Sequence, residues 1–158
     1  MRTDHKPLPA VKADPSWRVA IIHSSFYPEE VGTLVAGARE ALIAAGIDAK
    51  NVTDYPVSGS FEIPLIGAVL AQEKKADALI GLGIIVEGET HHARLIAGET
   101  ARGIMDVQVT HGMPFAFEVL YVKKLSQAKV RSAGSHNKGG EAARAVLHSL
   151  AQIAGTRE

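Results

Sequence analysis

The chain has 158 residues, 46% hydrophobic and 22% charged, with 17 basic residues balanced by 17 acidic ones and no cysteine. This is the composition of a soluble globular domain able to bury roughly 68 to 70% of its unfolded surface, and it excludes disulfides, zinc ribbons and thiol catalysis. Zero net charge gives no general attraction for nucleic acid or anionic lipid, and the longest apolar run, Ala78–Val86, falls well short of the about 20 residues a membrane span needs.

Residues 1–17 carry Lys6, Lys12, Asp4, Asp14 and three prolines without the apolar stretch of a signal peptide. They read as a flexible arm suited to packing on a neighbour, and they point to cytoplasmic residence. Residues 18–158 are expected to form one domain. The β-branched run 18–23 predicts a strand. Pro28 suits the first turn of the next helix, where Val31, Leu34, Val35, Ala38, Leu42 and Ala45 recur at helical spacing until Gly46. Residues 49–55 are a weaker strand candidate, closed by Pro56-Val57-Ser58-Gly59. Ser60 is placed to cap a helix over 61–73, with Pro64 tolerated near its start. Ala78–Val86 is the clearest strand, a nearly continuous apolar run of the kind covered on both faces. A helix follows over about 91–108, then a strand over 115–122 after Pro114. A last helix, over about 139–154, puts Ala143, Val146, Leu147, Leu150 and Ala154 on one stripe. Four successive βα units predict a three-layer α/β fold around a parallel sheet, and ligands of such sheets lie beyond the carboxyl ends of the strands.

Phe26, after the first strand, either caps the core or stacks on a flat heterocycle. Gly59-Ser60-Phe61-Glu62 offers backbone donors, a hydroxyl, an aromatic and a carboxylate. That set suits either the polar edge of a uracil-like ring or the terminus of its own helix. Gly88-Glu89-Thr90-His91-His92 is either a solvated helix start or a site in which Gly88 and the helix amides suit an anion and a histidine suits proton transfer near neutrality. Adjacent histidines diverge on a helix, so only one of the two can face a pocket. The loop after the fourth strand holds Arg131, whose planar fork fits a phosphate, and Lys138 with Glu141, spaced for an ion pair.

Together these segments resemble the 6,7-dimethyl-8-ribityllumazine synthases, the riboflavin synthase beta-chain family. The resemblance rests on Ser25-Phe26, on Gly59-Ser60-Phe61-Glu62-Ile63-Pro64 and on the run from Gly83 to His92. It also rests on Gln127-Ala128 with Arg131 and on Asn137-Lys138-Gly139-Gly140-Glu141-Ala142. It covers almost the whole chain, in the family's order and spacing. It implies a flavodoxin-like sandwich with a four-stranded parallel sheet, a homo-oligomer built as a pentamer or as an icosahedral shell of twelve pentamers, and sites between subunits. It further implies a cofactor-independent transferase of riboflavin biosynthesis. The enzyme would condense 5-amino-6-(D-ribitylamino)uracil with 3,4-dihydroxy-2-butanone 4-phosphate, releasing phosphate and water, with riboflavin synthase as a further partner.

By the same resemblance His92 is the proton-transfer residue. Phe26 lies against the pyrimidine, Ser60, Phe61 and Glu62 surround the uracil and ribityl chain, and Ile84, Ile85 and Val86 line the pocket. Glu89 and Thr90 present amides to the phosphate, Arg131 reaches it from a neighbour, and Phe117 closes the other side of the ring. Gly59, Gly88, Lys138 and Glu141 support them, and no metal is implied. The sequence departs from the common family pattern at Tyr27, Glu87, Ala93, Arg94 and Glu118. Glu87 and Glu118 there add negative charge where an anionic substrate approaches. The alternatives are a slow or inactive homologue serving as a flavin- or lumazine-binding or shell-forming protein, and a different small α/β module such as a flavodoxin. A receiver domain fits less well, because Ser24-Ser25 stands where its clustered acids belong.

Overall fold

The computed structural model describes residues 6–158, so the first five residues of the expected arm lie outside the described residues. Four parallel strands, β1 (Val19–Ser24), β2 (Val52–Val57), β3 (Ala78–Val86) and β4 (Phe115–Val122), lie in the order β2-β1-β3-β4. Helices α1 (Pro28–Ala45) and α5 (Lys138–Thr156) cover one face, α2 (Ile63–Gln72) and α3 (His92–His111) the other, and a short α4 (Leu125–Arg131) follows β4. This is the three-layer flavodoxin-like sandwich expected from the sequence.

Strand alternation explains the two cores. Ile21, Ile80 and Leu82 point to the α1 and α5 side, where they meet Leu34, Leu42, Val146 and Leu147. Ile22 and Leu79 point the other way, against Ile63, Ile104 and Phe115. Full burial of each such side chain stabilises by about 1.5–3 kcal/mol. Because β3 is central and covered on both faces, it reads as one unbroken apolar run, and its predicted and observed bounds agree.

Three expectations are corrected. The second strand starts three residues later than predicted, because Ala49–Asn51 forms a 3-10 turn in which the Asp48 carboxylate accepts from the Lys50 N–H at 3.2 Å. Ser60 does not cap a helix starting at Phe61. Ser60–Glu62 is a separate 3-10 turn, α2 begins at Ile63, and the Ser60 hydroxyl turns inward. Residues 125–131, expected as loop, are helical, and the Gln127 side chain accepts from the N–H groups of Lys123 and Lys124 at 2.9 and 3.2 Å.

Asn137 starts α5. Its Oδ1 accepts from the amides of Gly139 and Gly140, while its Nδ2 donates to the carbonyls of Thr33 and Ser132. The joint brings α5 so close to α1 that a Cβ on Gly139 would land on the Leu34 carbonyl. Within the expected arm, the described residues pack on α1 and α5. The Ala13 amide donates to Ala45 O at 2.9 Å, and the His148 ring lies 2.8 Å from Pro9 O. Among the described residues no helix is long and apolar enough to cross a membrane.

Candidate active site

In this strand order the chain reverses direction of travel across the sheet between β1 and β3, which is where ligands of open α/β sheets bind. A groove of about 890 Å3 opens there, beyond the strand ends and between the 3-10 turn after β2 and the first turns of α3. Of the predicted site residues it brings together Phe26, Gly59, Ser60, Phe61, Glu62, Ile84, Ile85, Val86 and His92.

Each side chain is held by a local device. The Ser24 hydroxyl accepts from the Phe26 N–H at 3.1 Å, and Tyr27 then takes a left-handed backbone, turning the chain abruptly into α1. Phe26 is left projecting, 63% exposed, so it does not cap the core. Its ring rests by Gly59, where a Cβ would lie 3.4 Å from the ring edge. Ser60 is 6% exposed with no protein partner for its hydroxyl, which fits the space that Gly83 leaves by lacking a Cβ. Thr100 Oγ1 donates to the Ser60 carbonyl at 3.4 Å and ties the turn to α3. Neither Ser60 nor Glu62 makes a side-chain capping bond, although Glu62 stands at the N-cap position of α2, and both residues line the groove. Ile84, Ile85 and Val86 make the apolar back wall.

His92 begins α3, its N–H donating to Thr90 Oγ1 at 3.3 Å, and its side chain lines the groove. His91 opens instead onto a shallow depression with Arg94 and Gly98, as divergent neighbours must. Leu95, Ile96 and Glu99 complete the α3 wall. Sequence reasoning missed these three, although their spacing of three, four and seven residues from His92 puts them on its face of the helix. It missed as well Ser24 at the end of β1, Tyr27, Ser58, and Ala93 in the first turn of α3. The hydrogen bond and charge of Arg102 hold the Glu99 carboxyl below its ordinary value.

Six expected residues and one supporting glycine stand apart from the groove. Gly88, Glu89 and Thr90 lie on the exposed connection from β3 to α3. Phe117, 43% exposed, sits on edge strand β4 in register with Gly81, about 13 Å along the strand from the level of Ile85. Arg131 ends α4 beside Tyr121 and Lys123, its guanidinium donating to Gln127 O at 2.8 Å. Lys138 and Glu141 pair at 2.7 Å at the start of α5. On the strand below that pair is Glu118. Burial, reinforced by the Glu141 carboxylate and partly offset by the Lys138 ammonium, pushes the Glu118 carboxyl up to about 7.

The molecule thus presents two separate surfaces. The groove offers two exposed aromatic rings, a desolvated hydroxyl, a carboxylate and a histidine, which suits a flat ring with a polar edge. The β4 edge carries the exposed Phe117, with Arg131 at the end of α4 and the Lys138–Glu141 ion pair at the start of α5. Among the described residues no group of three or more histidines and carboxylates is arranged to hold a metal ion.

Comparison with known proteins gives the same direction. The sequence profile of 6,7-dimethyl-8-ribityllumazine synthase matches residues 16–153. A 6,7-dimethyl-8-ribityllumazine synthase of Xanthobacter autotrophicus is 38% identical over 139 residues, covering 84% of this chain and 82% of its own. Two from Stenotrophomonas maltophilia strains are each 39% identical over 136 residues, covering 85% of this chain and 88% of their own.

Proposed function

The chain belongs to the 6,7-dimethyl-8-ribityllumazine synthase family, and from that premise we propose how its two surfaces carry out the family reaction. It is a transferase of riboflavin biosynthesis that condenses 5-amino-6-(D-ribitylamino)uracil with 3,4-dihydroxy-2-butanone 4-phosphate. The observation that carries the reading is the groove itself, where Phe26, Ser60, Phe61, Glu62 and His92 converge on one space.

The pyrimidine lies against Phe26 with its polar edge toward Ser60 and the amides of the turn. Phe61 and Glu62 flank the ribityl chain, and Ile84, Ile85 and Val86 exclude water behind it. The phosphorylated ketone enters past Gly88, with its phosphate toward the Glu89 and Thr90 amides. The amine of the uracil adds to the ketone carbonyl and water leaves, forming an imine between the two substrates, so no enzyme lysine is consumed. Phosphate is then eliminated, the side chain swings, and ring closure expels a second water. Each step moves a proton at nitrogen, carbon or oxygen, and His92 is the imidazole in the groove, a side chain able both to accept and to donate one. Holding two reactants in one groove supplies a further large share of the rate.

Phe117 and Arg131 act on the groove of a neighbouring copy, Phe117 closing the ring's second face and Arg131 meeting the phosphate, with Lys138 and Glu141 beside them. What supports this is their position on the β4 edge, away from the groove of their own chain. The copies assemble as a pentamer, alone or as twelve in an icosahedral shell. The protein works in the cytoplasm without a cofactor, and riboflavin synthase consumes its product.

The test is a steady-state assay with both substrates that follows lumazine absorbance and released phosphate together. Both products appear in equal amounts. A folded protein that binds a lumazine or flavin but releases no phosphate would instead be a binding homologue. In the same assay Arg131→Ala raises the KM for the phosphorylated ketone about tenfold, as expected when a charge-assisted hydrogen bond to phosphate is lost. An unchanged KM removes Arg131 from the phosphate site.

A further inference from the structure

Glu30 is an acidic residue buried in the first turn of α1, and the mechanism above gives it nothing to do. It is 7% exposed, in a turn where the helix end favours negative charge, and its cationic partner is Lys129 of α4, at 3.7 Å. A carboxylate taken out of water is costly unless a cation meets it, so burial of Glu30 holds α4 against α1. A second tie lies directly after Arg131. The Asn137 side-chain amide donates at 2.9 Å to Ser132 O and at 2.9 Å to Thr33 O in α1.

Both ties are anchored on α1, and Arg131 stands between them. Helix α4 needs them, because it has seven residues with Ala128 alone buried, well short of the about 12–15 at which an isolated helix becomes even marginal. Along a helix each residue turns about 100° from the last, so Lys129 and Arg131 lie on opposite flanks of α4. With Lys129 drawn to α1 and Ala128 and Ser132 buried beneath, Val130 and Arg131 are turned outward. The Arg131 guanidinium reaches back along the same helix to Gln127 O at 2.8 Å, so the way α4 is rolled sets the direction of the fork.

We propose that Glu30 is a positioning residue: through Lys129 it fixes the roll of α4 on α1 and so aims the Arg131 guanidinium away from its own subunit, toward the groove of the neighbouring copy. The inference rests on the reading of Arg131 as the group that meets the phosphorylated ketone. Glu30 is too buried to touch a substrate, so its effect reaches the site either through α4 or as a bare charge. The two routes have opposite signs. Removal of a negative charge by itself strengthens the attraction for a phosphate, whereas release of α4 spoils the aim of the Arg131 fork and weakens binding.

The test is steady-state kinetics of the intact assembly with Glu30→Gln, which keeps the shape and removes the charge, and with Lys129→Met, which keeps most of the stem. Either variant raises the KM for the phosphorylated ketone roughly three- to fivefold, the scale of one partly exposed ion pair, while kcat and the KM for the uracil substrate stay within about twofold. Both remove the same contact, so the double variant is no worse than either alone, and in an Arg131→Ala background neither has any further effect. Lys129 is 59% exposed on its side chain, so Lys129→Met carries the test in that background should Glu30→Gln fail to fold. A KM unchanged or lowered by Glu30→Gln, a lower Tm with no change in KM, or an effect that persists without Arg131 overturns the proposal and leaves Arg131 its place. If Arg131→Ala itself leaves the KM unchanged, or the assembly shows no turnover, the reading of Arg131 falls and the proposal falls with it.

Discussion

His92→Ala lowers kcat about 100-fold and leaves the assembly intact, the lower end of what a general acid–base group supplies. The lower end is expected because the groove keeps its means of holding the two reactants together, and proximity does not depend on the imidazole. The side chain is exposed at the start of α3 and accepts nothing from the core, so its removal opens no cavity. Single-turnover measurement separates the roles: phosphate release and ring closure both slow, while lumazine binding by the empty groove is kept. A rate within twofold of the wild type would mean that water or another side chain carries the proton. His91→Ala is the companion variant, and because His91 faces a different depression it changes turnover little.

Gly139→Ala costs about 3 kcal/mol of stability, the upper range for overpacking, and lowers Tm by about 10 °C at fixed protein concentration. The added Cβ meets the Leu34 carbonyl, a backbone atom in the middle of α1 that no rotamer change can move. Either α5 moves away from α1 and disturbs the Asn137 cap, or α1 bends. Gly32, also in α1, is the contrast: a Cβ there meets nothing, so Gly32→Ala gains about 0.5–1 kcal/mol from helix propensity alone. Calorimetric unfolding of the two variants should move Tm in opposite directions, and equal losses would show that the close approach is not what Gly139 provides.

How much was legible in advance follows from how local each determinant is. β3 comes out at its observed bounds because burial on both faces leaves an unbroken apolar run, and β4 because apolar or aromatic residues fill every one of its positions but Glu118. The start of β2 does not, since the Asp48 carboxylate holds the chain in a turn through Asn51 that apolar counting cannot see. Helix α4 was missed because seven residues with Ala128 alone buried show no period to count. In the site, Phe26, the Gly59–Glu62 segment and His92 were legible because each directly follows a strand or starts a helix. Leu95, Ile96 and Glu99 were not, since their part in the groove depends on which face α3 turns to the sheet. Phe117 and Arg131 were named only through resemblance, and the fold of one chain does not bring them to the groove that resemblance assigns them.

The separation of groove and β4 edge has a meaning for heredity. Under the composite reading each chain is host to one reaction centre and accessory to another, so an altered copy in a mixed population is felt beyond its own groove. Damage to His92 and damage to Arg131 then belong to different complementation groups within a single gene, because chains carrying one defect restore what chains carrying the other lack.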